Sequence, residues 1–459
     1  MMLRKILAEA EGDTNLSPRR CAWSETQLDE QTRALIQRDA RVFLRQSVST
    51  PCLSAIRHAE GVWIEDLQGR RYMDFHGNNV HHIGYAHPRL IEAIRKQMDE
   101  LSFAPRRYTC TPAVELAEKL VATTPAGLGK VLFAPSGSDA VEMALAYARA
   151  ATGRHKTISF RDSYHGAGFG ARSIGGEAMF HSGPVGPLLS GTEHVPPFGD
   201  YRNAWGVTEG SAELCVRTIR YVLEKEGDIA AVIAEPVRAV PYVPPVSFWP
   251  SVRQACDEFG TLLIFDEIPT GLGKTGKMFA CEHDEAVPDI LVLGKSLGGG
   301  ILPIASMICR PEIDVCESFA FGHYTHEKNP VTTRAGLTTL QIIEDEQLVA
   351  NAARVGALGL QQLREMMDRH SLIGDVRGRG CLMGAELVVD RATRTPAYDA
   401  ADAVLYKALS RGLNFKTTMG NVLTLTPPLI ITERQMLQAL EILEESIAEV
   451  EREMGITQS

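Results

Sequence analysis

Between residues 130 and 310 short apolar runs recur, separated by helical or loop-like stretches. They are Val131–Ala134, Thr157–Phe160, Ala230–Ala234, Leu262–Phe265, Ile290–Leu293 and Ile304–Ile308. The runs are apolar without strict alternation, so each would be buried on both faces, as in a mainly parallel sheet between helix layers. The middle of the chain, 76–345, therefore reads as one large α/β domain. Before it, Gly61–Asp74 looks like a hairpin with Asp66–Gly69 between two apolar strands. After it, 345–370 has helical spacing, and Thr432–Gln435 fits a capping box ahead of a final amphipathic helix. Segments 1–75 and 346–459 are expected to combine into a smaller α+β domain.

With 459 residues, 44% apolar and 23% charged, the chain has an ordinary globular composition. A net charge of -10 argues against general nucleic-acid affinity and points to a small-molecule partner. Against that background Arg106–Arg107 is either a local anion site or a solvated surface pair. The nine cysteines are scattered without a C-x-x-C pair, so neither disulfides nor a metal centre is expected. No signal h-region or membrane-length apolar run is found, and a cytoplasmic address follows by default.

Several strand ends carry residues with chemical potential. Lys295, in Leu293-Gly-Lys-Ser-Leu-Gly-Gly-Gly300, follows an apolar strand, where partial desolvation favours a nucleophilic amine. Gly294-Lys-Ser296 imitates the end of a Walker A loop, but the glycine needed five residues earlier is Asp289. Asp266 ends another strand and is either a loop cap or the partner of a cationic ligand. The G-x-G-x-x-G match at Gly271–Gly276 contains a lysine in a Pro-interrupted loop and is read as coincidental. Ser136, Gly137 and Ser138 open a helix after Val131–Ala134. They suit a phosphate, although a plain N-cap at Ser136 or Ser138 fits equally. Tyr164, in Tyr164-His-Gly166, offers a ring for stacking. A phosphate cradle, an aromatic platform, a carboxylate and an amine, in that order, are the groups a pyridoxal 5′-phosphate (PLP) site requires.

With these residues assembled, the chain resembles the class III aminotransferases, enzymes of PLP fold type I, from about Ala40 to the C-terminus. The family pattern D-E-V-Q-T-G-F-G-R-T-G appears as Asp266-Glu-Ile-Pro-Thr-Gly-Leu-Gly-Lys-Thr-Gly276. The resemblance implies that Lys295 bonds the cofactor and Asp266 meets its ring nitrogen. Ile268 and Tyr164 would cover the ring faces, Gly137 and Ser138 would hold the phosphate, and Glu235 would lie near the cofactor. Thr325 corresponds to a threonine reaching the phosphate from a neighbouring subunit, which implies a homodimer with shared sites.

Departures from the family pattern bear on the substrate. Pro269 replaces Gln, His326-Glu-Lys328 replaces Phe-Gly-Gly, and Thr424 stands where many relatives place an arginine that grips the substrate α-carboxylate. Asn78–Gly84 and Arg107–Tyr108 resemble segments of a subgroup of lyases acting on phosphorylated amines. The expected activity is elimination of ammonia from a phosphonate- or phosphate-bearing primary amine such as 1-hydroxy-2-aminoethylphosphonate. Asn79, Arg106, Arg107 and Lys416 are its candidate substrate contacts. Transfer of the amino group to pyruvate or 2-oxoglutarate is the alternative. A PLP-sensing regulator is disfavoured because no basic DNA-binding segment is read before residue 40.

Overall fold

In the computed structural model, which describes residues 17–46, 50–181, 185–199, 201–207 and 209–456, the apolar runs assemble into one seven-stranded sheet. Its order is Lys130–Ala134, Ala305–Cys309, Ile290–Leu293, Leu262–Asp266, Ile229–Ala234, Lys156–Phe160, Thr192–Val195. From Ile290–Leu293 across to Thr192–Val195 every pairing is parallel. Ala305–Cys309 alone runs antiparallel to its two neighbours. All residues of Ile229–Ala234, Ile290–Leu293 and Ala305–Cys309 are buried, which explains the weak alternation in their sequences. Thr192–Val195 escaped the sequence reading because it is an edge strand with one buried residue and no apolar run.

Helices cover the sheet through narrow apolar stripes. Gly137–Thr152 buries Ala140, Val141, Ala144, Leu145 and Ala148, spaced along one face at helical period. Its small alanines let the helix pack on Ile233, Ile264, Val292 and Met307 of the sheet. This helix opens at Gly137, within the expected Ser136–Ser138 start, because the Ser136 hydroxyl accepts the Asp139 N–H and caps it there. Gly153, at φ +66°, ends it. The helical spacing expected at 345–370 is one helix, Leu348–Arg369, and a further helix, Pro330–Asp345, precedes it. They part at Gln347, whose φ of +51° no helix interior accepts.

The chain divides into two compact units. Residues 78–83 and 87–350 form the sheet-bearing unit, and residues 1–77, 84–86 and 351–459 form the other. In the second unit Trp63–Asp66 and Arg71–Asp74 pair antiparallel. Their turn is held by Asp66, which accepts the N–H groups of Gln68 and Arg70 at 3.0 and 2.9 Å. A separate antiparallel sheet contains Ile373–Arg379, Leu382–Asp390, Val422–Leu425 and Lys416–Thr418. Thr432 and Gln435 complete a capping box on the helix Glu433–Glu453. Among the described residues no helix is long and apolar enough to cross a membrane.

Candidate active site

Asp266 and Lys295 leave the sheet at the carboxyl ends of neighbouring parallel strands. Asp266 pairs in register with Val292, three residues before Lys295, and the adjoining Glu267 N–H donates to the Val292 carbonyl at 2.9 Å. Ligands of open α/β sheets bind at such ends. Asp266 is 2% exposed. Its Oδ1 accepts the Ile268 N–H at 3.1 Å, and its Oδ2 lies 2.8 Å from Nδ1 of the buried His165. A carboxylate only accepts, so His165 Nδ1 donates. The far nitrogen of that ring, Nε2, is buried without a partner among the described residues.

Lys295 is half-buried, sits at φ +41°, and makes no hydrogen bond or ion pair among the described residues. An amine kept clear of carboxylates is available for covalent use by a carbonyl. Its field reaches His82, a buried ring whose Nδ1 donates to the Leu272 carbonyl at 3.2 Å. Burial, helped by the charges of Lys274, His81 and Lys295, holds the His82 pKa well below the usual histidine value. His82 is thus neutral, with a buried Nε2 acceptor that has no partner among the described residues.

Three further loops meet near these strand ends. Ile268 packs so closely on the helix start that a Cβ on Gly137 would lie 2.7 Å from its Cδ1. The same side chain would be 3.3 Å from a Cβ on Gly294, the residue before Lys295. Ser138 Oγ accepts the Ala167 N–H at 2.9 Å, tying the Tyr164–Ala167 loop to the helix start. Gly166 is required at that junction, because at φ +133° its Cβ would stand 2.5 Å from Ser138 Oγ. The Tyr164 ring packs at 4.5 Å and 51° against Phe180. Glu235, at the end of Ile229–Ala234, accepts the Ala239 N–H at 2.9 Å.

The remaining candidates are placed less centrally. Ser136 is exposed and its hydroxyl also donates to Asp139 at 2.6 Å, so it serves as the N-cap. Arg106 donates to the Tyr324 carbonyl at 2.9 Å and contacts the His323 ring, next to the exposed Thr325. Arg107 is exposed with no partner among the described residues. Asn79, at φ +59°, has a buried Oδ1 without a partner among the described residues. Lys416 belongs to the other compact unit, on the strand Lys416–Thr418. Thr424 is fully buried in that unit, with its hydroxyl 2.7 Å from that of Thr418. Asp289, at the site of the false Walker A glycine, accepts the Leu263 N–H and pairs with Arg253 and Arg310.

The arrangement fits PLP: a buried carboxylate for a ring nitrogen, a free amine, side-chain-free backbone at Gly137 and Gly166, and a half-buried tyrosine ring. A family model for class III aminotransferases matches residues 45–447. The chain therefore belongs to the class III aminotransferase family, and its cofactor is pyridoxal 5′-phosphate. It is 44% identical to the (R)-1-hydroxy-2-aminoethylphosphonate ammonia-lyase of Vibrio splendidus, over 98% of this chain and 97% of that one. It is 37% identical to a leucine/methionine racemase of Thermococcus litoralis, over 91% and 96% of the two chains. Among solved structures, a PLP-bound amine transaminase from an uncultivated Pseudomonas species aligns with a TM-score of 0.82. That match has 33% identity and covers 86% of this chain and 95% of that one.

Sequence reasoning overlooked His165 and His82. His165 stood in the quoted Tyr164-His-Gly166 triplet, and His82 in Asn78–Gly84. For each the only local signal is a polar residue inside an otherwise apolar or glycine-rich stretch.

Proposed function

We propose that this enzyme is a lyase that releases ammonia from a small primary amine bearing a phosphonate or phosphate, with 1-hydroxy-2-aminoethylphosphonate as the leading substrate. The observation that carries the reading is the end-to-end similarity to a lyase named for that reaction. Thr424 supports it, since a buried threonine already bonded to Thr418 offers no fork for an α-carboxylate.

When bound, PLP holds the substrate nitrogen and accepts the electron pair freed at the amine-bearing carbon. Asp266, oriented by His165 and the Ile268 N–H, is assigned to the ring nitrogen, and Gly137 and Ser138 to the phosphate. Ile268 and Tyr164 are assigned to the ring faces, with Glu235 nearby. The Lys295 ε-amine takes the proton from the carbon bearing nitrogen. Hydroxide then leaves the adjacent carbon, one water is lost and one is added. The products are phosphonoacetaldehyde and ammonia, with no oxidant or second substrate. In this reading Thr325 serves the site of a neighbouring copy, making the working unit a dimer.

Amine transamination is a second reading, favoured by the likeness to solved amine transaminases. The two are separated by incubating the holoenzyme with 1-hydroxy-2-aminoethylphosphonate and no keto acid. We expect repeated turnover with equal amounts of aldehyde and ammonia, and none from Lys295→Ala. A strict requirement for pyruvate or 2-oxoglutarate would replace the lyase with a transaminase.

A further inference from the structure

Arg238 is only 4% exposed, yet among the described residues no carboxylate forms an ion pair with it. Among the described residues its one side-chain hydrogen bond runs from Nη2 to the Asp162 carbonyl. Its Nε is buried without a partner among those residues, and its guanidinium lies over the Tyr242 ring, 5.4 Å from the centroid. A guanidinium carries five N–H donors and no acceptor. Buried charges are paired or bound to a ligand, because burial strips the water that would otherwise solvate them. Arg238 therefore has an unfilled requirement for an anion.

Its place in the fold says where that anion comes from. Arg238 lies just beyond Glu235 in the loop leaving Ile229–Ala234, and Asp162 lies two residues beyond Lys156–Phe160. These strands are parallel neighbours, so the contact bridges two strand ends on the face that carries Tyr164, His165 and Asp266. Two hydrogen bonds hold the turn: Glu235 accepts the Ala239 N–H, and the Arg238 N–H donates to the Tyr242 carbonyl at 3.2 Å. Arg106 is already engaged by His323 and Tyr324, and Arg107 stands exposed.

We propose that Arg238 binds the phosphonate or phosphate group of the substrate through its guanidinium fork. This rests on the anionic-amine reading above and names the residue behind it. A tetrahedral dianion accepts two parallel N–H groups from such a fork, which a lysine cannot reproduce.

The test titrates the holoenzyme with 2-aminoethylphosphonate, which has no leaving group on the adjacent carbon, and with propylamine, of similar length but uncharged beyond its amine. Cofactor absorbance reports binding. We expect the wild-type enzyme to prefer the phosphonate. Arg238→Gln should weaken phosphonate binding by about 10- to 100-fold and leave propylamine binding and PLP retention unchanged. Arg238→Lys should recover only part, and it carries the test if the Gln variant fails to fold. A wild-type enzyme that does not prefer the phosphonate defeats the anionic-amine reading itself. A preference kept by both variants overturns the role of Arg238 alone. Loss of PLP from Arg238→Gln with the preference intact also overturns it, assigning the arginine to the cofactor phosphate. So does a lower melting temperature with unchanged binding, which is the mark of a structural strut.

Discussion

Replacing Gly166 by alanine asks whether the Tyr164–Ala167 loop must dock on the start of the helix Gly137–Thr152. The added Cβ would lie 2.5 Å from Ser138 Oγ and 2.9 Å from Ser138 Cα. The hydroxyl can rotate aside; the Cα, anchored in the helix, cannot. The loop must therefore retreat by roughly half an ångström or more, at the about 1–3 kcal/mol typical of overpacking. A φ of +133° adds strain of about 1–3 kcal/mol in a non-glycine residue. Retreat also stretches the 2.9 Å bond from Ala167 N–H to Ser138. We expect Gly166→Ala to lose about 2–5 kcal/mol in urea unfolding, with weakened PLP retention because Tyr164 and Ser138 move apart. Gly153→Ala is the control, since its φ is +66° but nothing lies within 4 Å of the new Cβ. It should cost only about 1–2 kcal/mol and leave PLP binding intact. If Gly166→Ala matches the wild type in both stability and PLP retention, the loop does not depend on this close approach.

Two further perturbations test groups flanking the site. His82 is held neutral in the fold but has an ordinary pKa near 6.5 when unfolded, so below that pH the unfolded chain binds the extra proton and stability falls. Between pH 7 and pH 5 this amounts to about 2 kcal/mol. Chemical denaturation of the wild type and His82→Asn at both pH values should show the pH-dependent loss shrinking by that amount in the variant; an unchanged loss would mean His82 is already protonated in the fold. Asp289→Ala should cost about 1–3 kcal/mol, because it removes the buried carboxylate shared by Arg253 and Arg310 and leaves the mostly buried Arg253 only the exposed Asp257 as counter-charge. Adding Arg253→Met should restore part of that loss, and a single variant as stable as the wild type would show the pair to be dispensable.

Much of the fold was legible because burial leaves a local mark. A strand covered on both sides, such as Ile229–Ala234, needs apolar residues throughout, and the runs lie within one residue of the observed strands. Thr192–Val195 left no such mark because its edge position tolerates Glu193 and His194. The helix start at Gly137 was legible in Ser136–Ser138, but the choice of Ser136 over Ser138 as its cap was not, since either hydroxyl suits a cap or a phosphate. Lys295 and Asp266 were legible as strand-end residues, and the motif from Asp266 to Gly276 joined them to a family.

What the chain's own pattern determined is therefore the parallel sheet, the family, and the amine and carboxylate at its strand ends. The tertiary structure alone decided which side chains stand beside them. His165 reaches Asp266 across 101 positions, His82 reaches Leu272 across 190, and Arg238 reaches Asp162 across 76. Local patterning records whether a residue is buried but not which neighbour it meets. That neighbour is set by strand order, and only the folded sheet brings the Asp162 carbonyl beside Arg238, with no ion-paired carboxylate among the described residues.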